Sequence, residues 1–238
     1  MSTTTLRRVE RVRHELKRRD LTVKAVETLT PHFRRITFTD DSLGDFVSAA
    51  FDDHIKIFID DARRDYTPRS FDNAARELVI EFALHGEGPA AEWAARAQAG
   101  DTLDIGGPKG SLIVPLDYDW HLLVGDETAF PAVARRLEEL PAGAKAIVIL
   151  QSADSADRRE FKTAANVALS WVATDAELLA AVRALVLPAG DGYAWCAGEA
   201  ACMAALRREL VDVKGHPGEA IRAAAYWKRG ARGHHENL

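Results

Sequence analysis

The feature that most constrains this chain is a change of hydrophobic texture near Asp117–Trp120. Before it, apolar residues alternate over short runs bounded by turns; after it, apolar strands alternate with helical stretches. Strands are expected at Leu21–Glu27, Phe33–Phe38, His54–Ile59, Glu77–Leu84 and Asp101–Ile105. In the third of these, Ile55, Ile57 and Ile59 share one face and leave Lys56 and Phe58 on the other. One helix, at about Pro89–Gln98, interrupts the series, with Gly88 and Pro89 in the favoured order at its start. This pattern predicts a small antiparallel β-barrel. Beyond the change, strands at His121–Val124, Ala144–Leu150, Val167–Val172, Tyr193–Cys196 and Ile221–Trp227 alternate with helices at Ala129–Leu140, Asp175–Leu185 and Glu199–Val213. That alternation predicts a mainly parallel sheet covered on both faces. The expected fold class is two-domain β + α/β: a charged arm over 1–20, with 6–19 as a short helix or arm, an antiparallel barrel over 21–117, and an α/β domain over 118–238.

Composition narrows the function. The 31 Lys+Arg against 36 Asp+Glu leave a net charge of −5, which argues against general affinity for nucleic acid or an anionic membrane. No apolar run approaches the roughly eighteen residues of a membrane span. The first twenty residues lack the apolar centre of a signal peptide, and Glu10, Glu15 and Asp20 count against a transit peptide. A cytoplasmic monomer is the default expectation. Cys196 and Cys202 read as two small buried hydrophobes rather than a redox pair. His234 and His235 alone are too few ligands for a metal, so no metal site is expected.

Four segments carry candidate chemistry. In Arg64-Asp65-Tyr66-Thr67-Pro68-Arg69, Pro68 marks a strand end or an edge. An aromatic ring, a hydroxyl and two arginines emerge there together, equipment for a flavin dinucleotide, with the guanidinium forks suited to phosphate. In His85-Gly86-Glu87-Gly88-Pro89-Ala90-Ala91-Glu92-Trp93, a strand runs through glycines into a helix whose first N–H groups can face an anion. An ordinary strand–turn–helix connection is the alternative. Gly106-Gly107-Pro108-Lys109-Gly110-Ser111 is a tight turn, either interdomain or against a cofactor. Gly125-Asp126-Glu127-Thr128-Ala129-Phe130-Pro131-Ala132 follows the first strand of the α/β half, the end of a parallel sheet where ligands bind. The dinucleotide fingerprint GxGxxG is absent there, so tight NAD binding in that mode is not expected.

In this order the segments resemble the siderophore-interacting protein family, within the wider ferredoxin-reductase-like group. RDYTPR is similar to the family's R-x-Y-T-x-R motif, HGEGPAAEWA to H-G-x-x-G-P-A-S-x-W-A with Ala91 in place of serine, GGPKGS to G-P-[RK]-G-S, and GDETAFPA to G-D-E-T-A-L-P-A. WCAGEA and the terminal YWKRG (Tyr226–Gly230) extend the likeness over nearly the whole chain. The resemblance implies a noncovalent FAD on the barrel and a nucleotide-binding α/β domain. It implies Arg64, Tyr66, Thr67 and Arg69 for flavin and phosphate. His85, Gly88, Ala90 and Ala91 would lie on the pyrophosphate and adenine side, with Trp93 also cofactor-binding, and Glu127, Thr128 and Ala129 near the flavin–nicotinamide junction. Lys56, Lys228 and Arg229 would draw in an anionic ferric siderophore.

The implied activity is electron transfer from NADH or NADPH to ferric siderophores. A hydride carries two electrons and Fe(III) accepts one, a mismatch a flavin resolves and no side chain does. No side chain is therefore assigned as catalytic. Alternatives are another electron acceptor, a ferredoxin donor, or a ferric-siderophore-binding protein without turnover. Arg158 and Arg159 could meet the 2′-phosphate of NADPH or be surface charges.

Overall fold

A computed structural model of the chain describes residues 9–84, 88–231 and 236–237. Nine strands precede the texture change: β1 (Glu10–Arg13), β2 (Arg18–Thr30), β3 (Phe33–Thr39), β4 (Ile55–Ile59), β5 (Ala62–Tyr66), β6 (Pro68–Asp72), β7 (Glu77–Ala83), β8 (Thr102–Gly106) and β9 (Gly110–Ile113), with α1 (Pro89–Arg96) between β7 and β8. Seven of them form one antiparallel sheet in the order β5-β4-β8-β2-β3-β7-β6. Its two edge strands, β5 and β6, are separated in sequence only by Thr67. Opposite edges one residue apart require the sheet to curl until they meet. The result is a half-barrel whose seam is closed by the chain itself rather than by a hydrogen-bonded ladder. Pro68 opens the edge strand β6, where its missing N–H breaks no ladder.

Alternation fills this half-barrel. Ile36, Phe38, Ile55, Ile57, Ile80 and Ile105 are buried in one cluster, while Lys56, between two of them, faces out. Two expectations change here. Residues 10–13 are neither helix nor free arm: β1 pairs antiparallel with β9, Glu10 opposite Ile113 and Arg13 opposite Gly110. That partner lies about a hundred residues away, beyond any local signal. The Arg64–Arg69 segment is not one strand end but two strands breaking at Thr67.

The second half contains β10 (Trp120–Gly125), β11 (Lys145–Gln151), β12 (Asn166–Val172), β13 (Gly192–Glu199), β14 (Ile221–Trp227) and β15 (Glu236–Asn237). Their order is β12-β11-β10-β13-β14-β15, parallel except for the antiparallel edge strand β15. Every residue of β10 and β13 is buried, as expected for central strands covered on both faces. One face, with Leu123, Val148 and Trp195, packs on α2 (Phe130–Glu139). The other, with Leu122, Val124 and Cys196, packs on α3 (Asp175–Ala184) and α4 (Ala200–Arg208). The expected helix to Val213 changes at Glu209 into a π-helical turn, Glu209–Val213.

The cluster on the α2 face also takes in Phe33 and Phe51 from the half-barrel, so the two units share a core. Two buried arginines of α2 fix the contact. Arg135 donates to the Ser48 hydroxyl and carbonyl, both at 2.7 Å, and to the Pro68 carbonyl at 3.2 Å. Arg136 donates to the carbonyls of Val114 (3.2 Å) and Pro115 (2.7 Å). Among the described residues no helix is long and apolar enough to cross a membrane.

Candidate functional site

The strand order reverses at β10, whose neighbours β11 and β13 lead to opposite edges of the sheet. Ligands of open parallel sheets bind at the carboxyl ends of the strands flanking such a reversal. Here those ends carry Asp126 after β10 and Glu199 at the end of β13. Asp126 is buried and accepts four hydrogen bonds. Oδ1 takes the Thr128 N–H (2.9 Å) and hydroxyl (2.5 Å); Oδ2 takes the Glu199 N–H (3.0 Å) and the Trp227 indole N–H (2.7 Å). Burial pushes its carboxyl up to about 6, against the pull of the Thr128 and Trp227 donors. Glu199 Oε2 accepts from the N–H groups of Ala201 and Cys202 at the start of α4, and Oε1 from the Arg229 N–H. Burial works against the ionised form of Glu199, but these backbone donors outweigh it and hold the carboxyl below its usual range.

This packing leaves no room for side chains beside it. A β-carbon at Gly198 (φ 152°) would sit 2.5 Å from Asp126 Oδ2, and one at Gly125 would sit 2.5 Å from the Ala197 carbonyl.

The seam of the half-barrel meets this point. A side-chain hydrogen bond links Thr67 to Tyr226, the residue before Trp227. Tyr66, half-buried, lies against Phe82 with ring centroids 4.6 Å apart. Phe82 in turn meets Trp93 at 5.7 Å, and Trp93 stacks on Phe38 at 6.2 Å. Trp93 is thus part of the half-barrel's aromatic packing. Arg64 is half-buried and donates to its neighbour's carbonyl, Arg63 O, at 2.8 Å. Among the described residues it has no carboxylate partner. Arg69 differs: its fork is engaged by Glu138 of α2 at 2.8 and 2.7 Å, and its Nε lies 3.5 Å from Glu81.

Among the described residues, Gly88 caps the α1 N-terminus without a side-chain acceptor, and nothing lies within 4 Å of where its β-carbon would be. In the α/β half, α3 is capped by Thr174 and α4 by Glu199, while α2 has no side-chain cap of its own and follows a 3-10 turn capped by Asp126. The N–H groups of Ala90 and Ala91 belong to the uncapped first turn, where an anion is favoured by both free donors and the helix dipole. His85 lies outside the described residues, as do Gly86 and Glu87. A helix start without a side-chain cap, a half-buried tyrosine ring at the seam, and an arginine without a carboxylate among the described residues fit the pyrophosphate and ring system of a flavin dinucleotide.

The remaining expected residues divide. Glu127 Oε1 accepts from the Ala153 N–H at 2.9 Å, Thr128 turns back onto Asp126, and Ala129 is fully buried. All three stand beside the strand reversal, in a short 3-10 turn that precedes α2. Lys56 is exposed on the outer face of β4 and bonded to Asp65 at 2.7 Å. Lys228 and Arg229 line a cleft of about 630 Å³ with Asp175, Leu179, Glu199 and Cys202. Arg229 also donates to Asp175 at 3.1 Å.

Arg159 is no surface charge. It pairs with buried Glu81 at 2.7 Å and lies over the rings of Phe33, Phe130 and Phe161. Arg158 is exposed. Cys196 and Cys202 are free and buried, and burial pushes each thiol up to about 12. Among the described residues there is no group of three metal-ligating side chains. Sequence reasoning assigned no role to Asp126, Glu81 or Glu199. Asp126 and Glu199 stood inside quoted motifs, but their partners come from other strands; Glu81 carried no signal beyond being a charge in an apolar strand.

Comparison with known proteins agrees with this geometry. Residues 118–230 match the family described as siderophore-interacting protein, and residues 22–63 and 60–112 match the siderophore-interacting FAD-binding domain. The chain is 35% identical to an NADPH-dependent ferric-chelate reductase of Escherichia coli (strain K12), over 92% of this chain and 96% of that one. It is 36% identical to the ferric vibriobactin reductase ViuB of Vibrio cholerae, over 70% of this chain and 65% of that one. Its structure superposes on a siderophore utilization protein from T. fusca with a TM-score of 0.86 and 33% identity, covering 96% of this chain and 98% of that one. With its half-barrel seam set against the reversal point of a parallel sheet, the chain belongs to the siderophore-interacting protein family.

Proposed function

We propose that this protein is an FAD-dependent reductase that passes electrons from NAD(P)H to ferric siderophores and releases Fe(II). The observation that carries this reading is the meeting of the seam, through Thr67 and Tyr226, with the carboxyl ends of β10, β13 and β14. That junction supports reading the seam as a flavin surface and the strand ends as a nucleotide surface. Bound FAD would supply the conversion of a two-electron hydride into single electrons. The chain supplies binding and orientation: Tyr66 and Thr67 for the ring system, Arg64 for phosphate, and the N–H groups of Ala90 and Ala91, with Gly88 and His85, for the pyrophosphate side. Trp93 supports Tyr66 through Phe82, and Arg69 aligns the seam against α2 through Glu138. Glu127, Thr128 and Ala129 shape the nicotinamide side.

Lys56, Lys228 and Arg229 attract the anionic chelate. Fe(II) leaves because siderophore oxygens are hard ligands suited to Fe(III). Residues 21–117 act as the flavin domain, 118–238 as the nucleotide and substrate domain, and 1–20 as a charged arm. The protein works as a cytoplasmic monomer with a nicotinamide donor; a ferredoxin donor is the reading to turn to if nicotinamides fail.

The test is an anaerobic absorbance titration of the FAD-reconstituted protein. Flavin bands should bleach with NADPH or NADH and return with a ferric siderophore, while a chelator traps Fe(II). Bleaching by reduced ferredoxin alone would change the donor; no flavin bound after reconstitution would overturn the reading. Charge reversal at Lys56 should raise the substrate KM most at low salt, and equal kinetics at both salt levels would remove Lys56 from the substrate site.

A further inference from the structure

The segment after β14 is held in an unusual way. Trp227 is about one-third exposed (36%), yet its indole N–H is taken by buried Asp126. Two residues on, the Arg229 backbone N–H is taken by buried Glu199 at 3.2 Å and its guanidinium by Asp175 at 3.1 Å. Lys228 stands between these ties, exposed, and among the described residues its ammonium has no ion pair. The two buried carboxylates spend their lone pairs on indole and backbone donors. They fix the chain without drawing the lysine into an ion pair. A register shift at Gly198/Glu199 sets Glu199 opposite Trp227, and the absence of a side chain at Gly198 lets Asp126 reach across to the indole.

We propose that Asp126 and Glu199 form a two-carboxylate clamp that positions Trp227–Arg229, and through it Lys228 and Arg229, for capture of an anionic ferric chelate. Both are positioning residues, acting on substrate only through the segment they hold. The inference rests on the reductase reading for the identity of the substrate but not for the clamp.

The test uses the FAD-reconstituted protein and gallium(III) tris-catecholate, a redox-inert trianion of the same shape as the ferric chelate. Trp227→Phe removes the indole donor while keeping an aromatic ring. Asp126→Ala removes the acceptor shared by the Glu199 and Trp227 donors. Each should weaken gallium-chelate binding about fivefold or more, and the double variant should be no worse than the weaker-binding single, because both act through one contact. In nuclear magnetic resonance spectra, the indole proton absent in Trp227→Phe should be protected from exchange in the wild type and exchange at least tenfold faster in Asp126→Ala. In Trp227→Phe, with the ferric tris-catecholate as substrate, KM should rise while kcat toward a neutral quinone stays within twofold. Multiplying single effects, unchanged gallium affinity in Trp227→Phe, or an unprotected wild-type indole would each overturn the clamp. Should Asp126→Ala fail to fold, Trp227→Phe and the wild-type indole still decide. Gallium binding and indole exchange need no electron transfer, so a wild type that reduced no ferric chelate would sink the reductase reading and leave the clamp to be judged separately.

Discussion

Replacing Glu81 by glutamine should reveal how strongly one buried carboxylate ties this fold together. Glu81 lies on β7 with its side chain fully buried. Oε1 accepts from Arg35 at 3.2 and 2.8 Å, Oε2 accepts from Arg159 at 2.7 Å, and Arg69 Nε stands 3.5 Å away. Arg69 and Arg159 are themselves only 11% and 15% exposed. Removing one partner of a buried ion pair costs about 3–5 kcal/mol, because the remaining charge is left uncompensated. Glutamine keeps one carbonyl acceptor, and Arg35, a third exposed, is solvated in part. The lower end, about 3 kcal/mol, is therefore expected. For a chain of this size that corresponds to a fall in Tm of roughly 6–12 °C.

The assay is urea unfolding followed by tryptophan fluorescence at several pH values. Burial works against the ionised form of Glu81, but Arg159 and Arg35 outweigh it and hold the carboxyl below its ordinary value of 4.5. A carboxyl lowered in the folded state stabilises above its unfolded pKa, and that contribution fades as pH falls through the folded one. The gap between wild type and Glu81→Gln should therefore be full at pH 7 and shrink as pH drops below about 4.5. A gap under about 1 kcal/mol at pH 7, or one that widens on acidification, would refute the reasoning.

Other outcomes follow from the same geometry. Arg64→Ala should weaken FAD binding about 10- to 100-fold, the loss of one charge-assisted hydrogen bond of about 1.5–3 kcal/mol, read by fluorescence titration of the apoprotein. An unchanged Kd would remove Arg64 from the phosphate site. Gly198→Ala should destabilise by about 2–4 kcal/mol in urea unfolding, since its β-carbon would stand 2.5 Å from Asp126 Oδ2 at a positive φ. Native Cys196 and Cys202 should resist thiol reagents at pH 8, where pKa values of about 12 leave roughly one thiol in ten thousand as thiolate. Both should react at once in denaturant, and rapid native labelling would contradict their burial.

Most elements were legible in the sequence because each carries its own period. The isoleucines at 55, 57 and 59 alternate and became β4; the continuous apolar strands of the second half became the central strands of a parallel sheet, whose two covered faces need no alternation. The Gly88–Pro89 start and the candidate flavin residues were legible as local residue types. Tertiary structure decided what depends on partners far along the chain. The pairing of β1 with β9, the break of one motif into two edge strands at Thr67, and the engagement of Arg69 by Glu138 leave no mark within a short window, because a strand edge or guanidinium fork reads the same whoever faces it. Asp126 and Glu199 show this most plainly: as residues they are two acids in glycine-flanked turns, and only the adjacency of β10, β13 and β14 sets their oxygens on Trp227 and Arg229.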